Sequence, residues 1–170
     1  MDKLTNNKYN EIFMNRAIEL SQTAYKSGKG LPIGCVIVKD NKIIGEGHNE
    51  IFSRTNPTSH AEMVAIENAC NNLGSLVLTD CVIYTTLEPC PMCLSAIYWA
   101  KLKVIYFANS NETASKIGFD DSFIFDEIKL QPEERKILMI KKDHSKAIEI
   151  LKEWQSKEIS SSSSSKPWKK

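Results

Sequence analysis

The sequence contains no long apolar run and almost no excess of either charge. Its 22 lysines and arginines nearly balance 21 aspartates and glutamates, so the net charge of +1 provides no overall field that attracts nucleic acid or an anionic membrane. No stretch approaches the roughly 20 apolar residues of a membrane span, and the N-terminal residues lack the apolar core of an export signal. These absences predict a cytoplasmic protein that binds a small molecule rather than nucleic acid or a membrane.

The sequence lacks a second closely spaced cysteine pair, and the spacing of its cysteines is informative. The five cysteines are an odd number in a chain without an export signal, which predicts reduced thiols rather than disulfides. Cys90 and Cys93 form a C-x-x-C pair, whereas Cys35, Cys70 and Cys81 occur singly in apolar segments. The second pair that a structural zinc site with four cysteines requires is therefore missing.

Length and periodicity predict one α/β domain and a tail. With 170 residues, 42% of them hydrophobic, the chain can bury one sizeable core. We assign residues 1–159 to a single domain and residues 160–170, which include six consecutive serines, to a flexible tail.

Predicted helices and strands alternate along the domain. The helices are marked by Phe13, Ala17, Leu20 and Ala24, by the stretch from His60 to Asn71, by a first turn containing Pro89 and Pro91, and by a closing stripe of Ala147, Ile150, Leu151 and Trp154. The strands are Ile33–Val38 and Ile43–Glu46, joined as a hairpin by Asp40-Asn41, then Cys81–Thr86, Lys103–Phe107 and Ile137–Lys141. This order predicts a partly parallel sheet covered on both faces.

Two short motifs carry the chemistry, namely His60-Ala61-Glu62 and Pro89-Cys90-Pro91-Met92-Cys93. One imidazole and two thiolates suit Zn²⁺, and three protein ligands leave the fourth corner of its tetrahedron for water, as catalytic zinc sites do. Glu62, two residues after His60, can face the same cavity and carry protons without binding the metal. H-x-E with P-C-x-x-C is the known signature of zinc deaminases of nucleobases. We therefore predict one Zn²⁺ per chain, held by His60, Cys90 and Cys93, with Glu62 as the catalytic residue.

Each of these residues also has a structural explanation. Ser59 and Glu62 have the spacing of a capping box ahead of an apolar run. An isolated C-x-x-C pair can be a redox pair or half of a structural zinc site, and a single histidine is usually an ordinary polar residue. The features taken together favour the catalytic interpretation, because no second cysteine pair is present to complete a structural site.

Further residues resemble the cytidine deaminase superfamily over most of residues 10–141. The shared segments are Pro32-Ile33-Gly34, Asn49, His60-Ala61-Glu62 and Glu88-Pro89-Cys90-Pro91-Met92-Cys93. Within that superfamily, the segments Ala96–Ala100, Gly118–Phe123 and Pro132–Arg135 are similar to bacterial guanine deaminases rather than to the tRNA adenosine deaminases that share the metal motif.

The resemblance implies a three-layer α/β/α fold with a mixed five-stranded sheet, and an enzyme that hydrolyses a C–N bond of a cyclic amidine, converting guanine to xanthine and ammonia. It also implies that Asn49 hydrogen-bonds the purine, that Asp121 accepts from the ring N–H and the amine, and that Trp99 packs on the purine face. Relatives of this type can form homodimers that exchange C-terminal helices, with a C-terminal aromatic closing the partner's site, and Trp154 is the candidate here. Ile33 stands where the family often has phenylalanine, so stacking from that position is lost.

Two other functions stay open. A tRNA-specific adenosine deaminase would carry the same segment from Thr86 to Cys93, although the acidic residues from Asp120 to Glu127 do not suit an RNA backbone. A non-catalytic, zinc-stabilised binding module would need the metal ligands but not Glu62. The substrate residues have simpler explanations too: Asn49 as a turn residue, Asp121 in a solvated loop and Trp99 in the core.

Overall fold

The computed structural model describes residues 8–160, which fall into two compact units, one ending at Phe123 and the other beginning at Ile124. In chain order the elements are α1 (Glu11–Lys26), β1 (Gly34–Lys39), β2 (Lys42–His48), α2 (Ala61–Leu73), β3 (Cys81–Leu87), α3 (Pro91–Trp99), β4 (Val104–Asn109), α4 (Asn111–Ser115), α5 (Ser122–Lys129), a 3₁₀ turn (Pro132–Glu134) and α6 (Ser145–Ser160). The predicted tail lies outside the described residues except for Ser160, which ends α6. A single domain over residues 1–159 stays a prediction.

The first unit is built on a four-stranded mixed sheet in the order β2-β1-β3-β4. β1 is antiparallel to both β2 and β3, whereas β3 and β4 are parallel. Asp40 and Asn41, between β1 and β2, have positive φ values of 48° and 59°, as a two-residue type I′ turn requires. The predicted hairpin and the partly parallel sheet are confirmed.

Alternate residues of β1 and β3 enter two different hydrophobic cores, one on each face of the sheet. The core that includes α2 and α3 contains Cys35, Ile37, Ala61, Ala65, Ala69, Ile83 and Ile97. The core that includes α1 contains Phe13, Met14, Ala17, Leu20, Val36, Val38, Val82 and Tyr84. This period of two is the one that a strand buried on both faces shows, and it makes the first unit a three-layer α/β/α arrangement, as predicted.

Two glycines of β2 allow α2 to lie unusually close to the sheet. A Cβ atom on Gly47 would overlap the carbonyl oxygen of Ala61, and one on Gly45 would overlap that of Ala65. Any larger residue would push the helix away. The glycines therefore bring the first turn of α2 against the end of β2.

The predicted fifth strand, Ile137–Lys141, is wrong. The described residues contain four strands, and in the second unit the side chains of Ile137, Leu138, Met139 and Ile140 are between 55% and 79% exposed. A strand needs a neighbour that satisfies its backbone N–H and C=O groups, and an apolar run does not by itself provide one. The closing helix is confirmed as α6, but Ile150, Leu151 and Trp154 of its predicted stripe are each about half exposed or more.

Across residues 8–160, none of the helices combines the length and the apolar character that crossing a bilayer requires.

Candidate active site

Two helix starts hold the predicted metal ligands. His60 is the N-cap residue of α2 and Cys90 is the N-cap residue of α3, both with extended backbone angles. Pro91 occupies the first helical position of α3, where its missing N–H costs no hydrogen bond. Pro89 lies before the helix, which corrects the prediction that both prolines share its first turn.

The three ligand atoms lie at the spacing that a tetrahedral zinc ion requires. His60 Nδ1 is 3.6 Å from Cys90 Sγ and 3.5 Å from Cys93 Sγ. Zn–S bonds of about 2.3 Å and Zn–N bonds of about 2.0–2.1 Å at tetrahedral angles give a sulfur-to-nitrogen separation of about 3.6 Å. Among the described residues, this is the group of metal-binding side chains that the structure brings together, with all ligand atoms within 4.8 Å of one another. The geometry fits zinc.

The three ligand side chains shift one another's pKa values. The pKa of Cys90 falls to about 4, chiefly because the Cys93 side chain hydrogen-bonds to the Cys90 thiolate. The pKa of Cys93 rises in turn, first because of that same bond and then because the thiol is buried. The bond to Cys90 raises the pKa of His60 as well. A zinc site needs both cysteines as thiolates and the histidine neutral, so metal binding would favour the loss of the protons that the raised pKa values of Cys93 and His60 retain.

Glu62 lies beside this group without belonging to it. Its side chain is 3% exposed, Oε1 accepts a hydrogen bond of 3.2 Å from Thr85 Oγ1, and Oε2 lies 3.5 Å from Cys93 Sγ. Burial is the main reason that the pKa of Glu62 is raised, and the nearby Cys90 charge adds to it. A carboxylate in this position can exchange a proton more readily near neutral pH than an exposed one.

The capping-box alternative is wrong. The N-cap residue of α2 is His60 rather than Ser59, and no side chain caps the helix. Glu62 instead directs its carboxylate toward Thr85 and Cys93. The side chain is therefore available for chemistry.

Asn49 is a buried residue with one unused donor. Its Oδ1 accepts from the backbone N–H groups of Leu31 and Ile51 at 3.1 and 3.3 Å, whereas its Nδ2 has no partner in the described residues. The next residue, Glu50, donates its backbone N–H to Ser59, the neighbour of His60. Asn49 is not among the residues with positive φ, so it is not there for an unusual backbone angle, although its contact with the N–H of Ile51 is the one that a turn asparagine makes. An unpaired buried N–H₂ group is costly unless a ligand satisfies it.

Asp121 lies within electrostatic range of the ligands. Partial burial and the Cys90 charge raise the pKa of its carboxyl, and its own charge contributes to the raised pKa of His60. The predicted acidic loop is short, because α5 begins at Ser122, directly after Asp121. The backbone N–H of Ser122 donates a hydrogen bond of 3.0 Å to the Asp120 carboxylate.

Trp99 is not brought to the ligands. It is the last residue of α3, six residues and about 9 Å of helix beyond Cys93. Its side chain is 70% exposed, which makes the core-packing alternative wrong. Its contact with a purine stays a prediction.

Thr85 is a site residue that no sequence motif marks. In the predicted strand Cys81–Thr86 it is one of several β-branched residues, although the structure buries it completely against Glu62. One sequence signal was available: Thr85 places a hydroxyl on the strand face that also carries Ile83, and Ile83 and the paired residue Cys35 both lie in the hydrophobic core. Buried hydroxyls require a partner, and that requirement could have indicated a polar contact here.

One histidine and two cysteines that fit a single zinc ion, with a free carboxylate beside them at two helix starts of an α/β/α fold, match the arrangement of the hydrolytic zinc deaminases. Residues 7–109 match the cytidine and deoxycytidylate deaminase zinc-binding region. The chain belongs to this family, as the sequence predicted.

Two kinds of deaminase are similar to this chain over most of its length. The chain is 50% identical over 127 residues to the guanine deaminase of Bacillus subtilis (strain 168), which spans 75% of this chain and 81% of that one. The X-ray structure of guanine deaminase from Bacillus subtilis matches with a TM-score of 0.83 at 43% identity, covering 88% of this chain and 95% of that one. The tRNA-specific adenosine deaminase of Aquifex aeolicus (strain VF5) is 38% identical over 98 residues, 58% of this chain and 64% of that one.

Proposed function

We propose that this protein hydrolyses guanine to xanthine and ammonia. One observation carries the choice of substrate: Asn49 Nδ2 is an unpaired buried donor on a residue whose neighbour Glu50 bonds to Ser59, next to His60, and the Asp121 carboxylate lies within electrostatic range of His60. Guanine offers a carbonyl oxygen for the donor, and a ring N–H and an amine for the acceptor. Adenine has no carbonyl and, in a nucleoside, no ring N–H, so it would leave the carboxylate without a ring donor. The similarity to the Bacillus subtilis guanine deaminase supports the same choice.

The amide of Asn49 has one usable orientation. Its oxygen already accepts two backbone N–H groups, from Leu31 and Ile51, so turning the amide over would leave both without a partner. Asn49 therefore presents a donor to the substrate. We assign it to a purine acceptor, and Asp121 to the N–H edge next to the amine that leaves.

The proton transfers fall to Glu62. His60, Cys90 and Cys93 would hold Zn²⁺, which would supply an activated water for attack at the carbon that bears the amine. Glu62 accepts a proton from the attacking water and passes it to a ring nitrogen; it then takes the second proton from the hydroxyl group of the adduct and passes it to the amine, which leaves as ammonia. One water is consumed for each guanine. The carboxylate suits both directions of transfer because burial raises its pKa above that of an exposed carboxyl group.

Ammonia release distinguishes the candidate functions. The zinc-bound protein is mixed in turn with guanine and with an adenosine-containing tRNA anticodon stem-loop, and ammonia is measured with a coupled dehydrogenase. Release from guanine alone supports the proposal, and release from the stem-loop alone favours a tRNA adenosine deaminase. Release from neither favours a zinc-stabilised binding module.

Asn49→Asp tests the donor directly. The aspartate keeps an oxygen for Leu31 and Ile51 but replaces the donating NH₂ with an acceptor, so we expect KM for guanine to rise at unchanged zinc content. Asn68→Asp is the matched control, because Asn68 Nδ2 donates to a backbone carbonyl on the exposed side of α2. Equal KM values for the two variants would remove Asn49 from substrate binding.

We also propose that the protein is a homodimer in which C-terminal helices can be exchanged. In the second unit the segment 137–140 and α6 leave large apolar side chains more exposed than a monomer usually does. A second copy of the chain can cover them, with Trp154 as the aromatic that closes the partner's site. Light scattering should then give about twice the chain mass of 19.2 kDa. A monomer with full activity would exclude the arrangement.

A further inference from the structure

Thr85 provides a buried hydroxyl on the central part of the sheet, directly behind the catalytic carboxylate. It lies in β3, opposite Cys35 of β1 and Phe107 of β4, and its side chain is completely buried. Its Oγ1 donates to Glu62 Oε1 at 3.2 Å. This hydrogen bond joins strand β3 of the sheet to the first turn of α2, and the two residues are 23 positions apart in the sequence.

The adjacent threonine makes a different contact. Thr86 Oγ1 accepts a hydrogen bond of 3.1 Å from the backbone N–H of Gly34 and takes no part in the Glu62 contact. Successive strand residues point to opposite faces, which explains why two neighbouring hydroxyls serve different partners. Thr86 therefore serves as a comparison for Thr85, because it is a threonine in the same strand whose hydroxyl does not contact Glu62.

The two oxygens of Glu62 are held differently. Oε1 accepts from Thr85, whereas Oε2 lies next to the Cys93 sulfur at 3.5 Å. A thiolate cannot donate a hydrogen bond, so once Cys93 binds a metal the Thr85 hydroxyl is the remaining donor of these two. One carboxylate oxygen then stays anchored to the sheet, and the other faces the metal site.

We propose that Thr85 is a positioning residue for the deamination reaction: its hydroxyl fixes one oxygen of the Glu62 carboxylate so that the other meets the attacking water. The inference rests on the proposed deaminase function, because it concerns the residue that moves the protons. A carboxylate attached through three rotatable bonds samples several orientations when nothing holds it, and only some of them are productive. A purely structural hydroxyl would affect stability without affecting turnover.

Thr85→Val and Thr85→Ser separate these roles. Valine keeps the branched shape and removes the hydroxyl, whereas serine keeps the hydroxyl and removes the methyl group. We expect Thr85→Val to lower kcat by about 10- to 100-fold, as small displacements of catalytic groups do, with KM and zinc content close to those of the parent. Thr85→Ser should have a kcat within a few-fold of the parent, because serine keeps the hydrogen bond to Glu62 and loses only a methyl group.

Thr86→Val is the matched control. It removes a buried hydroxyl from the next residue and should lower the unfolding temperature while leaving kcat unchanged. A crystal structure of zinc-bound Thr85→Val provides a readout that does not depend on activity, because Glu62 should then occupy more than one rotamer.

Parent-like kcat in Thr85→Val, an equal loss in Thr85→Ser, or loss of zinc from Thr85→Val would each overturn the proposal. If Thr85→Val does not fold, Thr85→Ala takes its place under the same criteria. The proposed function is tested first and separately, with the parent protein on guanine. If the parent deaminates only the stem-loop, kcat on that substrate is compared instead, and if it deaminates neither, the Glu62 rotamers decide.

Discussion

Replacing Glu62 by glutamine is the most direct test of how this site works. Glutamine has the same shape, and its carbonyl oxygen can still accept the hydrogen bond from Thr85, so the surroundings should stay in place. The amide cannot take up or release a proton. Glu67→Gln is the matched control, because Glu67 lies on the same helix with a side chain that is 60% exposed.

The expected loss can be worked out from the role of the carboxylate. Proton transfer by a positioned side chain contributes about 10²- to 10⁴-fold to a rate, which is about 3–5.5 kcal/mol of activation free energy. We therefore expect kcat of Glu62→Gln to fall by at least about 100-fold. Zinc content should not change, because Glu62 lies outside the group formed by the three ligands.

Although its kcat falls, Glu62→Gln should be at least as stable toward unfolding as the parent. Burial raises the pKa of Glu62 above its ordinary value of 4.5, which means that the folded state binds the proton more tightly than the unfolded chain. The ionised carboxylate therefore costs stability, increasingly as the pH rises from that ordinary value to the raised pKa and fully above it. Glutamine removes the cost and loses only the charge-assisted part of one hydrogen bond, roughly 1 kcal/mol. Metal-free Glu62→Gln should unfold at the same urea concentration as the metal-free parent at pH 7, or at a higher one.

Three measurements check this prediction: ammonia release from guanine, zinc content by mass spectrometry and urea unfolding of the metal-free proteins. Turnover by Glu62→Gln within tenfold of the Glu67→Gln control would refute the assignment of the proton transfers. Loss of zinc from Glu62→Gln alone would show that the carboxylate supports the metal instead.

Three further predictions concern the surroundings of the metal. Asp121→Asn should weaken guanine turnover at unchanged zinc content, whereas Asp120→Asn, which changes a fully exposed carboxylate, should not, and steady-state kinetics of the two variants compare them. In the metal-free protein, iodoacetamide should modify Cys90 at a rate that is nearly constant from pH 6 to 8, because a pKa of about 4 leaves its thiol ionised throughout. A thiol with an ordinary pKa would instead react faster as the pH rises, and peptide mass spectrometry measures the rate at each pH. Gly47→Ala should displace the start of α2 and weaken zinc binding in a chelator competition, since its Cβ would overlap the carbonyl oxygen of Ala61, and parent-like affinity would contradict the close packing.

The metal ligands were predictable from the sequence because their chemistry is local. A histidine and two cysteines at fixed spacings, each at a helix start, restrict the metal and its coordination before any tertiary contact is known. The Asp40-Asn41 turn was predictable for a similar reason, since both residues tolerate the positive φ values that the hairpin needs.

The contacts that the sequence did not predict depend on distant partners. The segment 137–141 has the composition of a strand, but strand formation depends on an adjacent strand that no local pattern specifies. Thr85 has high strand propensity, so its contact with Glu62 became visible only when α2 was placed over the sheet. The apolar stripe of α6 predicted the helix correctly, but not what its apolar face packs against.

The arrangement of ligands at two separate helix starts has a consequence for folding as well as for catalysis. His60 precedes Cys90 by 30 residues, so a metal bound to both acts as a cross-link that closes a loop of that length. By the chain-entropy relation used for disulfides, such a closure is worth about 3.5 kcal/mol. A cell short of zinc would thus accumulate less of the folded protein, in addition to leaving the remaining molecules inactive.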